Sequence, residues 1–284
     1  MVASQPKSAD TNKFVTVDGL RTRYIEEGDG LPVILLHGGS LGSSADIFKR
    51  NMKPLASAGL RVIAFDQPGY GLSDIPRDHS AAYRREFIPR FAAALGLGPV
   101  ALVGHSNLGN AAVTLALKDP ENYSHIVVLG TGSLLPPLGD GSSVSPPPFL
   151  VERAKINSEP TLEQTRALME TYLYHHELIT EEEVALRHRH SIGRNFEAFL
   201  ARKRVAASGS KPARGASWQL LPQLKTPLLM IYGRDDRGGA EQRAQLLREK
   251  YPGVNLHLVD HCKHLLPWDA ADDFVRLSVP FLTQ

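Results

Sequence analysis

The first place in this sequence where chemistry could be done is a serine at the junction of an apolar run and a small-residue stretch. Val103-Gly104-His105-Ser106-Asn107-Leu108-Gly109 closes the run Val100 to Val103 and opens the Ala- and Leu-rich segment Leu108 to Leu117. A strand that turns sharply into a helix lifts a serine hydroxyl above the sheet as a nucleophile elbow. The usual G-x-S-x-G is imperfect here, because Leu108 holds the second glycine position and Gly109 comes one later. A hydroxyl is a poor nucleophile at neutral pH and needs a base, itself oriented by a third group.

Both partners have candidates downstream. Leu228 to Tyr232 ends in Gly233-Arg234-Asp235-Asp236, and Leu256 to Val259 leads into Asp260-His261-Cys262-Lys263-His264. Serine, acid, histidine is the chain order expected when the elbow tops an open α/β sheet. Asp236 is preferred to Asp235 because it lies three residues past the glycine that ends its strand. His264 and His261 both remain candidates for the base at this point. Attack on a carbonyl builds a negative oxygen that needs preorganised donors. His37-Gly38-Gly39-Ser40 directly follows the run at Val33, so the Gly39 and Asn107 backbone N–H groups are expected to form the oxyanion hole.

The elements that must position these groups can be read from the hydrophobic pattern. Phe14 to Val17, Asp18-Gly19 and Leu20 to Ile25 read as a hairpin with a two-residue turn. Short continuous apolar runs follow at 33–36, 61–65, 100–103, 126–129, 228–232 and 256–259. They suit strands buried on both faces of a parallel sheet. Helical stretches at 81–95, 108–117, 241–251 and 271–282 alternate with them. The fold class expected is α/β, a mostly parallel, doubly wound sheet with the site at the strands' carboxyl ends. The alternation breaks after Leu129. A Gly/Ser/Pro-rich stretch at 131–148 precedes two capping-box signatures, Thr161 with Gln164 and Thr180 with Glu183. The organisation expected is a loose arm at 1–12, a core of 13–132 and 219–284, and a helical cap inserted at 133–218.

Composition narrows the partners. The chain has 284 residues, 42% hydrophobic and 22% charged, as in an ordinary soluble enzyme. A formal charge of +2 does not suggest a nucleic-acid or anionic-membrane partner. No apolar run approaches the roughly 18–20 residues of a membrane helix, and the start lacks a secretory signal's apolar region. One cysteine, Cys262, excludes an intrachain disulfide and suits the cytoplasm. The eleven histidines are scattered, so neither a metal nor another cofactor is expected. A homo-oligomer is compatible with the sequence.

At these residues the chain resembles the α/β-hydrolase superfamily, and more narrowly the meta-cleavage-product hydrolases, which cut carbon–carbon bonds in ring-opened aromatic compounds. The resemblance runs from about Leu31 to Phe281. It rests on Leu36-His37-Gly38-Gly39, Asp66-Gln67-Pro68-Gly69-Tyr70-Gly71-Leu72-Ser73-Asp74, the elbow, Gly233 to Arg237, and Cys262-Lys263-His264 with Trp268 beyond. It implies an α/β-hydrolase fold and favours His264 as the base, since Cys-Lys-His mirrors the family's Cys-Gly-His. It also implies that Arg187, after Leu178-Ile179-Thr180, binds the substrate carboxylate through a bidentate fork. Gly38, His105, Leu265 and Trp268 are expected to face the substrate. In the implied mechanism a dienol becomes its keto tautomer, and a carbonyl is then attacked with help from Ser106, His264 and Asp236.

The chain departs from the family in what reads the substrate. His105 stands where the family has asparagine, Leu265 where it has tryptophan, and Asp46 or Ile47 near an expected asparagine. His105 could replace a lost donor and carry a pH-sensitive charge. The function expected is a cofactor-free serine hydrolase of a small acidic dienoate. A carboxylesterase or lactonase with the same triad is the runner-up. A capped binding protein without turnover is a third, disfavoured by the complete set of catalytic residue types.

Overall fold

A computed structural model describes residues 12–139, 148–208 and 217–284. The arm expected at 1–12 lies outside the described residues except for Asn12, as do parts of the 131–148 and 207–216 stretches.

Eight strands form one sheet: β1 Lys13–Val17, β2 Leu20–Glu27, β3 Leu31–Leu36, β4 Leu60–Phe65, β5 Val100–His105, β6 Tyr123–Leu129, β7 Leu228–Gly233 and β8 Leu256–Val259. Their order is β1-β2-β4-β3-β5-β6-β7-β8. The hairpin pairs antiparallel and β2 joins β4 antiparallel, while every pair from β4 to β8 is parallel. This is the mostly parallel, doubly wound α/β sheet expected from the sequence. At the hairpin turn Asp18 and Gly19 both take positive φ, 52° and 77°, as a two-residue turn matched to strand twist requires.

The continuous apolar runs are explained by burial on two faces. Val33 and Leu35 of β3 belong to one apolar cluster, Ile34 and Leu36 to the other, following the strand's two-residue period. Among the described residues ten helices accompany the strands: α1 Lys49–Ala56, α2 Ala81–Ala94, α3 Asn107–Lys118, α4 Pro148–Ala154, α5 Leu162–Glu170, α6 Glu181–Arg189, α7 Arg194–Ser208, α8 Ala240–Lys250, α9 Leu266–Asp269 and α10 Ala271–Leu282. Residues of α2, α3 and α8 enter the second cluster, and those of α1, α9 and α10 the first.

Between β6 and β7 the described chain is helical. The Thr161 and Gln164 side chains cap α5 reciprocally, as their spacing predicts. At α6 Thr180 accepts from the Glu183 N–H, but the Glu183 carboxylate pairs with Lys49 Nζ at 2.9 Å. Apolar side chains of these helices (Leu168, Met169, Val184), with Leu173 just after α5, are continuous with the first sheet cluster. Among the described residues no helix is long and apolar enough to cross a membrane.

The topology fixes where a ligand can sit. β4 lies on one side of β3 and β5 on the other, and a crevice opens at the carboxyl ends where the chain changes direction across a sheet. The His37 loop leaves β3 there and Ser106 leaves β5. Asp66, at the end of β4, braces this edge from within: its carboxylate accepts from Ala45 N–H at 2.7 Å, Leu72 N–H at 2.8 Å and Arg23 Nη1 at 3.2 Å. The Asp66 to Asp74 motif is thus a scaffold for the loops around the site.

Candidate active site

Ser106 sits at φ 58°, ψ −127°, a conformation L-residues rarely adopt and one stored at functional turns. Its surroundings hold it there. Ser106 N–H donates to Leu129 O at 2.8 Å, and Thr131 Oγ1 donates to Ser106 O at 2.6 Å. The turn needs α3 to approach β5 closely: a Cβ on Gly104 would lie 2.5 Å from Gly109 Cα, and one on Gly109 would overlap Thr131 Oγ1. Gly109 therefore provides the close approach on the helix side. Leu108 is accommodated because its side chain is buried in the second apolar cluster.

The structure brings the predicted triad together. Ser106 Oγ lies 3.0 Å from His264 Nε2, and His264 Nδ1 donates to Asp236 Oδ2 at 3.0 Å. Asp236 also accepts from Arg237 N–H at 2.7 Å. Burial pushes the Asp236 carboxyl upward, but the adjacent His264 and Arg237 outweigh it and hold the group below the usual carboxylate range. Asp235 is exposed, and His261 turns away to tilt against Tyr174. This relay can deprotonate a serine hydroxyl as it attacks. Gly39 and Asn107 line the same cavity as Ser106. Asn107 opens α3, where backbone N–H groups have no intrahelical acceptor and favour negative charge.

His105 is neutral, contrary to the expected pH-sensitive charge. Its Nε2 donates to His264 O at 2.8 Å, which leaves Nδ1 as an unprotonated acceptor, buried without a partner. Burial, reinforced by nearby His264, pushes its pKa down to about 3. His105 thus steadies the base and presents a lone pair next to Gly38, where a Cβ would come within 3.0 Å of Nδ1. His37 is also neutral and buried, its pKa lowered to about 3 by desolvation. Its Nε2 accepts from Gln67 N–H at 2.9 Å while Nδ1 donates to Gly38 O.

These two rings make the fold acid-sensitive. Both are held neutral when folded but titrate near 6.5 when unfolded, so the unfolded chain binds more protons below that pH. Their contribution is complete above pH 6.5 and is lost as pH falls toward 3. Unfolding free energy is expected to drop by about 2 kcal/mol between pH 6 and 5. Urea titrations across that range check this, and a flat profile would mean that the rings accept protons without unfolding.

Arg187 is placed one layer behind the cavity wall. Its Nη2 donates to Ser40 Oγ and Leu41 O, both at 2.9 Å, and its Nε is buried without a partner. It is on neither a solvated face nor the wall beside Ser106. Leu265 is buried with its N–H on Tyr172 O, and Trp268 Nε1 donates to Ile47 O. Neither lines the nucleophile's cavity. Asp46 pairs with Arg23 and Ile47 is buried, so neither replaces the expected asparagine at the cavity.

The cavity, about 300 Å³, is lined by Gly38, Gly39, His105, Ser106, Asn107 and His264, which the sequence singles out, and by further residues that it does not. Among the described residues, every wall residue of fixed charge is a cation: Arg84, Arg153, Arg202, Lys203 and Arg237. Arg237 lies over the Phe149 ring at 3.7 Å and places Nη2 2.8 Å from His264 Nε2. Arg202 lies over the Tyr70 ring at 3.8 Å and donates to Gly69 O. The only sequence signal for Arg202 and Lys203 is the basic run they share with Arg204 on α7, which ordinarily marks a solvated face. Among the described residues no group of three or more His, Cys, Asp or Glu could hold a metal ion.

The model of the alpha/beta hydrolase family matches residues 33–277. A 2-hydroxy-6-oxo-6-phenylhexa-2,4-dienoate hydrolase of Burkholderia cepacia is 31% identical over 96% of both chains. A 2-hydroxy-6-oxononadienedioate/2-hydroxy-6-oxononatrienedioate hydrolase of Comamonas testosteroni is 30% identical over 98% of this chain and 99% of its own. Among solved structures, a meta-cleavage product hydrolase from Pseudomonas fluorescens superposes with a TM-score of 0.77 at 27% identity, covering 95% of this chain and 97% of its own. With sheet order, elbow and full-length relatives in accord, this chain belongs to the alpha/beta hydrolase family.

Proposed function

We propose that this chain hydrolyses a carbon–carbon bond of a 2-hydroxy-6-oxo-dienoate-type acid, using Ser106 as nucleophile, His264 as base and Asp236 to orient it. The observation that carries the reading is a hydrogen-bonded Ser-His-Asp relay opening onto a cavity whose fixed charges, among the described residues, are all positive. A cationic wall favours an acid over a neutral ester. The helices between β6 and β7 act as the cap, residues 133–218, over a core of 13–132 and 219–284, and the enzyme works in the cytoplasm.

In this reading the dienol first takes its keto form with a proton on C5. Ser106 Oγ adds to the C6 carbonyl carbon and its proton passes to His264 Nε2. The resulting oxyanion is held by the Gly39 and Asn107 N–H groups. Collapse breaks C5–C6, and the electron pair moves from C5 into the conjugated keto acid. His264 returns the proton to the leaving dienol. Water then cleaves the acyl-serine and releases the second fragment as a carboxylic acid.

Arg237 is the guanidinium we assign to the substrate carboxylate, with Arg187 positioning the Ser40 loop from behind. Arg237 Nη2 and Ser106 Oγ both lie within hydrogen-bond distance of the one His264 Nε2 lone pair and compete for it. A bound carboxylate draws the guanidinium away through a charge-assisted pair and frees Nε2. His105 and Gly38 face the substrate beside the nucleophile, while Leu265 and Trp268 shape the site from behind.

Steady-state turnover of 2-hydroxy-6-oxo-6-phenylhexa-2,4-dienoate beside p-nitrophenyl acetate tests the reading. Loss of the dienoate chromophore with the larger kcat/KM is expected. Turnover of the ester alone would move the chain to the carboxylesterases.

A further inference from the structure

The five cations of the cavity wall are not spread evenly. Arg153 and Arg237 gather on the Phe149 ring, Arg237 at 3.7 Å and Arg153 at 5.8 Å from its centroid. Arg202 is held on the Tyr70 ring, with Arg84 close enough to oppose its charge, and Lys203 lies 6.0 Å from the Phe199 ring centroid. Tyr70 in turn donates to Gly39 O, in the loop expected to hold the oxyanion. Two groups of like charge therefore line the cavity that holds Ser106, and among the described residues none of its wall residues is a carboxylate.

Such an arrangement costs the empty enzyme energy. Burial shifts both Arg202 and Arg237 downward; Arg84 and Arg153 add to this, while Tyr70 beside Arg202 and Asp236 and Tyr172 beside Arg237 work against it. Arg237 Nη1 is buried with no hydrogen-bond partner among the described residues. A buried cationic donor without an acceptor calls for one from a ligand. One substrate carboxylate satisfies the Arg237 side only. The chain as a whole carries a formal +2, so concentrating five cations on one cavity is a local feature and not the overflow of a basic protein.

We propose that Arg84, Arg202 and Lys203 form a second anion subsite, and that the preferred substrate is a dianion with an acidic group on each side of the scissile carbonyl. The proposal rests on reading this cavity as the reaction site. It places one carboxylate against Arg237 and Arg153, and the other against the α7 and Tyr70 wall.

The test uses two matched pairs of substrates. The first is 2-hydroxy-6-oxonona-2,4-dienedioate against the 6-phenyl dienoate, and the second is p-nitrophenyl hemisuccinate against p-nitrophenyl butyrate. A kcat/KM preference of about 10- to 100-fold for the member with the extra carboxylate is expected, and it should shrink as salt rises. In Arg84→Gln/Lys203→Gln that preference should collapse by about tenfold or more, whereas Arg276→Gln, which removes an exposed charge on α10, should leave it in place. Equal kcat/KM within each pair, or a preference untouched by the double substitution, would overturn the subsite. Preference among the esters with no dienoate turnover would keep the subsite and reject the carbon–carbon reaction. Cleavage of both dienoates without preference would do the reverse.

Discussion

Ser106→Ala is expected to lower kcat by about 10⁴- to 10⁶-fold, the scale on which loss of the nucleophile from a serine relay is felt. The fold should survive the change. The Ser106 backbone is held by its own N–H on Leu129 and by Thr131 on its carbonyl, contacts that alanine keeps. Only the hydroxyl that faces His264 Nε2 is lost. Thermal unfolding of the variant should therefore match the parent. A variant with less than tenfold loss would point instead to direct attack by water activated at His264.

Asp236→Asn should cost nearly as much, about 10⁴-fold in kcat, for a different reason. The carboxylate accepts from His264 Nδ1–H and so keeps Nε2 free of its proton. A carboxamide can donate to Nδ1 and select the opposite tautomer, which leaves Nε2–H pointing at the serine and no base. Neighbouring His264 and Arg237 hold the Asp236 carboxyl below its ordinary range despite burial, so it stays ionised as the acceptor of Nδ1–H at neutral pH. The variant should also keep its affinity for substrate, so the effect should fall on kcat more than on KM. A change confined to KM would contradict the orienting role.

The three residues of the Ser-His-Asp relay were legible in the sequence because each sits at a strand end, and strand ends are marked by the switch from a buried apolar run to Gly, Asp or His. The β5–Ser106–α3 turn, Gly233 to Asp236 and Val259 to His264 all follow that rule. Sheet order at the β3/β5 crevice then brings them together. The specificity wall was not legible. Arg202 looks like any helical surface cation until α7 is packed against Tyr70, and Phe149 gains meaning only with Arg237 stacked upon it. Such contacts are long-range, and no local spacing encodes them. Arg187 shows the converse: a motif position fixed its helix, but whether its guanidinium faces the cavity or a loop behind it depends on Gly42, whose bare backbone lets Arg187 pack against that loop. His105 likewise occupies the expected position, yet burial determines that it is neutral.

The central claim is carbon–carbon cleavage by Ser106, and product identification tests it most directly. Incubation with 2-hydroxy-6-oxo-6-phenylhexa-2,4-dienoate should yield benzoate and 2-hydroxypenta-2,4-dienoate in equal amounts, with neither formed by Ser106→Ala. Recovery of intact dienoate, under conditions where the same preparation cleaves a p-nitrophenyl ester, would contradict it.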